Sequence, residues 1–229
     1  MTRSAPTVAS APAGLHAAVA DSLRRKPIVA VVRTHDAAEA RRQAVLFADA
    51  GLELIEITFT VPGASSLVRA LLADRRSGPP YFGMGTVTTG ARAREAVDAG
   101  AEFVVTPNCD PEVARTTRQA GLFLVLGALT ASEVVAAHAL GADVVKVFPL
   151  PPVGGPAYLR AIRQPLGDIP MMASGGYGFE EIPAYLEAGA VAFGIGPPLI
   201  GSDDDATRRN VRRALELASG TTTPASPPR

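Results

Sequence analysis

Eight short apolar runs, each followed by a stretch with helical spacing, dominate the chain and limit what it can fold into. The runs cover residues 28–33, 54–58, 81–85, 103–106, 123–126, 144–148, 170–174 and 192–196. They are apolar at consecutive positions, as strands covered on both faces must be. Amphipathic segments lie between and after them, at 36–50, 63–74, 91–99, 111–120, 131–140, 156–162, 179–188 and 204–218. Several end in Ala-Gly: Ala50-Gly51, Ala99-Gly100, Ala120-Gly121 and Ala188-Gly189. A glycine there accepts the left-handed conformation that closes a helix before the next strand. Eight such units in about 200 residues predict an α/β fold, a (β/α)8 TIM barrel. The competing arrangement is an open doubly wound sheet, but no dinucleotide-type glycine fingerprint follows the first run. A further helix over 14–23 is placed to close the barrel bottom.

Around this domain, taken as residues 14–219, we expect a flexible leader over 1–13 and a disordered tail over 220–229, both rich in Ala, Pro, Ser or Thr. The chain of 229 residues is 47% hydrophobic but only 5% aromatic, so aliphatic side chains must fill the core. The 22 basic and 22 acidic residues balance. That argues against a general grip on nucleic acid or an anionic membrane. No apolar run approaches the ~20 residues of a membrane span, and the start lacks a signal-peptide pattern. The single cysteine, Cys109, forbids an internal disulfide and fits a cytoplasmic location. Cys109 has no histidine near it in sequence. His16, His35 and His138 are scattered without metal-ligand spacing, so no metal and no cofactor are expected.

Barrel chemistry gathers at the C-terminal ends of the strands. Only two lysines occur, Lys26 and Lys146, and Lys146 interrupts the apolar run Val144-Val145-Lys146-Val147-Phe148. Burial disfavours its cation and lowers its pKa, and a neutral amine can add to a ketone. A structural ion pair would explain the same residue. Glu56 sits likewise in Leu54-Ile55-Glu56-Ile57-Thr58. The two-residue period of a strand puts Glu56 and Thr58 on one face, so both can look into the barrel. A buried carboxyl beside an amine can move protons during imine chemistry. Ser174-Gly175-Gly176, followed one strand later by Gly194-Ile195-Gly196, has the form and order of an anion cradle after strands seven and eight. Arg33 ends the first run as a candidate carboxylate clamp, and Thr86, after Gly85, could add a hydroxyl.

Taken together these pieces resemble the 2-keto-3-deoxy-6-phosphogluconate (KDPG) and 4-hydroxy-2-oxoglutarate aldolases. The likeness runs over about residues 27–201, through Ile28-Val29-Ala30-Val31-Val32-Arg33, Ile55-Glu56-Ile57-Thr58-Phe59-Thr60-Val61-Pro62, Gly85-Thr86-Val87, Val105-Thr106-Pro107-Asn108, Val145-Lys146-Val147-Phe148-Pro149, Ser174-Gly175-Gly176 and Gly194-Ile195-Gly196. The resemblance implies a class I aldolase joining or parting pyruvate and an aldehyde. It implies that Lys146 is the Schiff-base lysine and Glu56 the general acid/base. It implies that Arg33 and Thr86 lie around the pyruvate carboxylate, Phe148 and Pro107 line the pocket, and Gly175 and Gly176 offer backbone donors to a phosphate. It further implies a homotrimer with a small-molecule substrate and no metal. Thr58, Ser174 and Gly196 complete the expected substrate-binding set.

Three departures from the family pattern stand out. The strand-eight motif, which usually continues Gly-Ser, here runs Gly196-Pro197-Pro198; Leu126 precedes Gly127 where proline is common; and the segment 150–156 keeps its terminal Gly-Pro with extra prolines upstream. Ser174 also replaces the usual threonine. Pro197 brings neither a hydroxyl nor a backbone N–H. A weakened or altered phosphate pocket follows, with a changed aldehyde preference. Two other readings compete: a barrel isomerase or decarboxylase with no covalent intermediate, and a non-catalytic binding module.

Overall fold

Strands β1 (Ile28–Val32), β2 (Leu54–Thr58), β3 (Tyr81–Gly85), β4 (Phe103–Val105), β5 (Phe123–Ala128), β6 (Val144–Val147), β7 (Met171–Ser174) and β8 (Ala192–Ile195) pair in parallel in chain order, and β1 closes the ring against β8. The structure is a computed structural model that describes residues 11–75 and 77–220. Helices α1 (Leu15–Arg25), α2 (Ala37–Asp49), α3 (Ala64–Asp74), α4 (Gly90–Asp98), α5 (Pro111–Gln119), α6 (Ala131–Ala139), α7 (Gly155–Arg163), α8 (Ile182–Glu187) and α9 (Asp204–Ala218) accompany them. This is the (β/α)8 barrel expected from the alternation. The expected leader falls mostly, and the tail almost wholly, outside the described residues. Among the described residues no helix is long and apolar enough to cross a membrane.

The repeating unit has a physical basis at both helix ends. Side chains of Asp36, Thr89, Asp110, Thr130 and Asp203 accept hydrogen bonds from first-turn N–H groups of α2, α4, α5, α6 and α9. These groups have no partner inside the helix. At the other end, Gly51, Gly100, Gly121, Gly141 and Gly189 all have positive φ. Each lets the following residue donate back across the last turn, as in Leu52 N–H to Phe47 carbonyl (3.0 Å) and Ala190 to Tyr185 (2.9 Å). The residue so anchored is buried and starts the path into the next strand.

Element ends shift modestly. β5 runs two residues beyond the expected 126, and β1 stops before Arg33. The single helix expected over 179–188 is a 3-10 turn, Phe179–Glu181, followed by the short α8. Pro183 in its first turn has no N–H to continue an α-helical ladder from 179. Two more 3-10 turns, Pro151–Val153 and Pro197–Leu199, fill the loops after β6 and β8.

Two cores result. One lies between the strands and the outer helices. The other fills the lower barrel with Val29, Leu54, Tyr81, Phe103, Val105, Phe123, Val125, Val144, Met172 and Ala192, and α1 plugs it with Val19 and Leu23. Full burial of each such aliphatic side chain contributes about 1.5–3 kcal/mol. Close to this end, Arg75 meets the buried Glu102 carboxylate with two bonds of 2.7 and 2.8 Å, and Glu102 also accepts the Phe82 N–H.

On five of the strands the inner residue two positions further along changes character. Leu54 gives way to Glu56, Val125 to Gly127, Val144 to Lys146, Met172 to Ser174, and Ala192 to Gly194. The barrel is therefore packed with bulk below and opened by glycine and polar groups above.

Candidate active site

The upper layer has space because glycines face it. A Cβ on Gly85 would overlap the Glu56 carboxylate, and one on Gly127 would overlap the backbone of Pro107. Across the ladder Glu56 is level with Gly83 and Val31, and Lys146 with Gly127 and Met172. Glycine at 85 thus makes room for the acid, while glycine at 127 lets the loop after β4 fold over the barrel beside Lys146.

Lys146 is 5% exposed and Glu56 fully buried. Burial pulls the Lys146 amine below its ordinary 10.5. Glu56 opposes that shift and Arg33 adds to it. Burial likewise pushes the Glu56 carboxyl above its ordinary 4.5, against the pull of Lys146 and Arg33. Desolvation is the largest cause for both, and it shifts amine and acid towards their uncharged forms. Neither Glu56 oxygen has a hydrogen-bond partner. A purely structural buried ion pair holds its charges by close hydrogen bonds. Glu56 is instead coupled to Lys146 only through space.

A cleft of about 250 Å³ opens over Lys146, while Glu56 stays buried behind its wall. Lys146, Arg33, Phe148, Ser174, Gly175, Gly176 and Gly196 line it together, as their strand-end positions predict. Lys146 Nζ lies 5.1 Å from the centroid of the Phe148 ring. Gly175 (φ 137°) and Gly176 (φ 89°) adopt backbone that side chains avoid, and a Cβ on Gly175 would also press on Leu150 and Pro151. Among the described residues neither of their N–H groups donates within the protein, so both are free for a ligand. Ser174 sends its hydroxyl towards the Gly194 carbonyl at 3.4 Å.

The other expected residues sit around the cleft rather than on its wall. Thr58 is buried, and its hydroxyl donates to the Val32 carbonyl (3.0 Å) and pairs with Thr60 (2.7 Å), clasping β2 to β1. Pro107 covers Gly127. Thr86 is half-buried just beyond Gly85 with φ 59°. Sequence reasoning missed Val31 and Tyr177 as wall residues. Tyr177 directly follows the Ser-Gly-Gly run, which is the signal that could have found it. Pro197 and Pro198 form the strand-eight rim, where the backbone offers no N–H. Among the described residues no group of three or more His, Cys, Asp or Glu could hold a metal.

A lysine and a carboxyl desolvated together inside a (β/α)8 barrel, beside a cleft with free backbone donors, fit a class I aldolase, a lyase. The comparisons with known proteins name the group more narrowly. The family model described as "KDPG and KHG aldolase" matches residues 19–213, and the chain belongs to that family. It is 32% identical to the 2-dehydro-3-deoxy-6-phosphogalactonate aldolase of Escherichia coli (strain K12), over 76% of this chain and 84% of that protein. It is 33% identical to the 2-dehydro-3-deoxy-phosphogluconate aldolase of Pseudomonas aeruginosa, over 71% of this chain and 73% of that one. A native KDPGal structure superimposes with a TM-score of 0.77 at 26% identity, covering 85% of this chain and 95% of its own.

Proposed function

We propose that Lys146 is the nucleophile and Glu56 the proton carrier of a pyruvate-dependent aldol reaction. The observation that carries this assignment is the pair itself: a buried amine with lowered pKa and a buried carboxyl whose oxygens no protein donor holds. In the condensation direction Lys146 Nζ adds to the keto carbon of pyruvate. Glu56 supplies and removes protons as the carbinolamine forms and loses water, giving an iminium. Loss of a proton from the methyl carbon to Glu56 leaves an enamine. That carbon bonds to the aldehyde carbon, whose oxygen takes the proton. Water then adds to the new iminium and releases the product and the amine. Cleavage runs the same steps backwards.

Arg33 and Thr86 are assigned to the pyruvate carboxylate, Phe148 and Pro107 to the pocket walls. Ser174, Gly175, Gly176 and Gly196 are assigned to the far end of the substrate. The side-chain donor of Thr58 is already engaged, so its part is to hold the β1 and β2 ends together. Pro197 removes one donor from the strand-eight half of the anion cradle, a loss of about 1–3 kcal/mol. The acceptor end therefore favours phosphate less than a full two-strand cradle would. We assign the working form as a cytoplasmic homotrimer, on the family resemblance.

Borohydride reduction in the presence of pyruvate tests the chemistry: a stable adduct must appear on Lys146. No mass increase there would favour a non-covalent isomerase or decarboxylase. Comparing cleavage of phosphorylated and unphosphorylated 2-keto-3-deoxy sugar acids tests the cradle. A strong preference for phosphate would refute the weakened site. Pro197→Ser should shift the ratio towards the phosphorylated substrate.

A further inference from the structure

Thr86 is the one non-glycine among the described residues with a positive φ, 59°. β-Branched residues avoid that region, so surrounding contacts must hold it. The structure supplies them through Arg92, the third residue of α4, which sequence reasoning left unnoticed. One guanidinium nitrogen of Arg92 donates to the Thr88 hydroxyl at 3.0 Å and to the Thr86 carbonyl at 3.4 Å. The guanidinium carbon stands 5.3 Å from the centroid of the Phe59 ring. Phe59 in turn donates its N–H to the Gly85 carbonyl at 2.9 Å. The Arg92 side chain is half-buried, and its planar head suits stacking and donation at once. The loops after β2 and β3 are thus tied to α4 by one cation. The turn it grips lies next to Gly85, which packs on Glu56.

We propose that Arg92 is a positioning residue. Holding the Thr86 carbonyl and Thr88 hydroxyl against Phe59, it keeps the Thr86 turn left-handed and its side chain set for the keto-acid carboxylate. This rests on the assignment of Thr86 to that carboxylate. Arg92 acts on substrate affinity through Thr86 and does not act on the bond-making step.

The readout is the pyruvate concentration that half-saturates borohydride trapping, with KM and kcat measured alongside. Arg92→Ala should raise that concentration and KM about tenfold, the loss of roughly one well-placed polar contact. The trapped fraction at saturation and kcat should stay within about threefold. Arg92→Lys should recover part of the affinity, since an ammonium can donate but lacks the planar fork. Thr86→Gly should weaken pyruvate to a similar degree, and adding Arg92→Ala to it should cost nothing more. If Thr86→Gly leaves affinity unchanged, the carboxylate assignment falls and the proposal with it. If Thr86→Gly weakens binding while Arg92→Ala does not, only the proposal falls. Additive losses in the double variant, or a fall in saturating trapping with no shift in half-saturation, also overturn it.

Discussion

Alanine at Gly85 and alanine at Gly83 put the same methyl on the same inner face of β3, two residues apart, and the structure separates their consequences. At Gly83 the methyl overlaps the Phe103 ring, a buried member of the lower core. The ring is rigid and boxed in, so the strain falls on packing. Overfilling of this kind costs about 1–3 kcal/mol. In a domain of this size that lowers Tm by about 2–4 °C for each kcal/mol. At Gly85 the methyl overlaps the Glu56 carboxylate, carboxyl carbon and Cγ. The end of Glu56 must swing aside, and a misplacement near 1 Å costs a catalytic group about 100-fold. That corresponds to about 2.7 kcal/mol of barrier. Gly83→Ala should therefore melt earlier yet turn over normally per folded molecule. Gly85→Ala should lose about 100-fold in kcat while still forming some trapped pyruvate adduct. Pyruvate release, with folded fraction taken from circular dichroism at the assay temperature, reads both. Near-normal turnover in Gly85→Ala, or an equal loss in Gly83→Ala, would refute the account of how space is allotted to the acid.

Lys146→Met should abolish trapping and turnover without loss of Tm, because a buried amine is replaced by an apolar side chain of similar length; a residual adduct would show another nucleophile. In the native enzyme the lowered Lys146 pKa puts the acid limb of the trapping rate below pH 10.5, with the rate rising as the amine loses its proton; a limb at the ordinary lysine value would contradict its burial. The raised Glu56 pKa means that the folded chain keeps a proton which the unfolded chain has lost above pH 4.5. That contribution is complete at lower pH and is lost as pH rises through the folded value. The Tm of the native protein relative to Glu56→Gln should fall over that interval, and a flat difference between pH 4 and 9 would refute it. Glu56→Gln should also lower kcat by about 10²–10⁴, the range for a general acid/base. Arg75→Ala should destabilise by about 3–5 kcal/mol, since it strands the buried Glu102 carboxylate, with kcat unaffected; chemical denaturation reads the first.

What the chain determines by itself is local. Consecutive apolar positions show a strand covered on both faces, glycines mark where helices stop, and Asp or Thr marks where they start. A charged residue amid such a run, as at 56 and 146, must then be buried. This reasoning passed over a local signal at Pro183, which breaks the helix, and missed that β5 continues to 128, because that strand end depends on pairing with β6. Periodicity also says which residues share a face, but not which face of another strand they meet. The closing of the ring and its register decided that Gly85 yields its space to Glu56 and that Gly127 sits level with Lys146. It decided too that the Thr58 hydroxyl turns to Val32 instead of the cleft. Arg92 lies within six residues of Thr86 and Thr88, but its stacking on Phe59 from the end of another strand had no local signal. Burial of the lysine can be read in one dimension, but its chemistry arises only where eight strands converge and exclude water from an amine and an acid together.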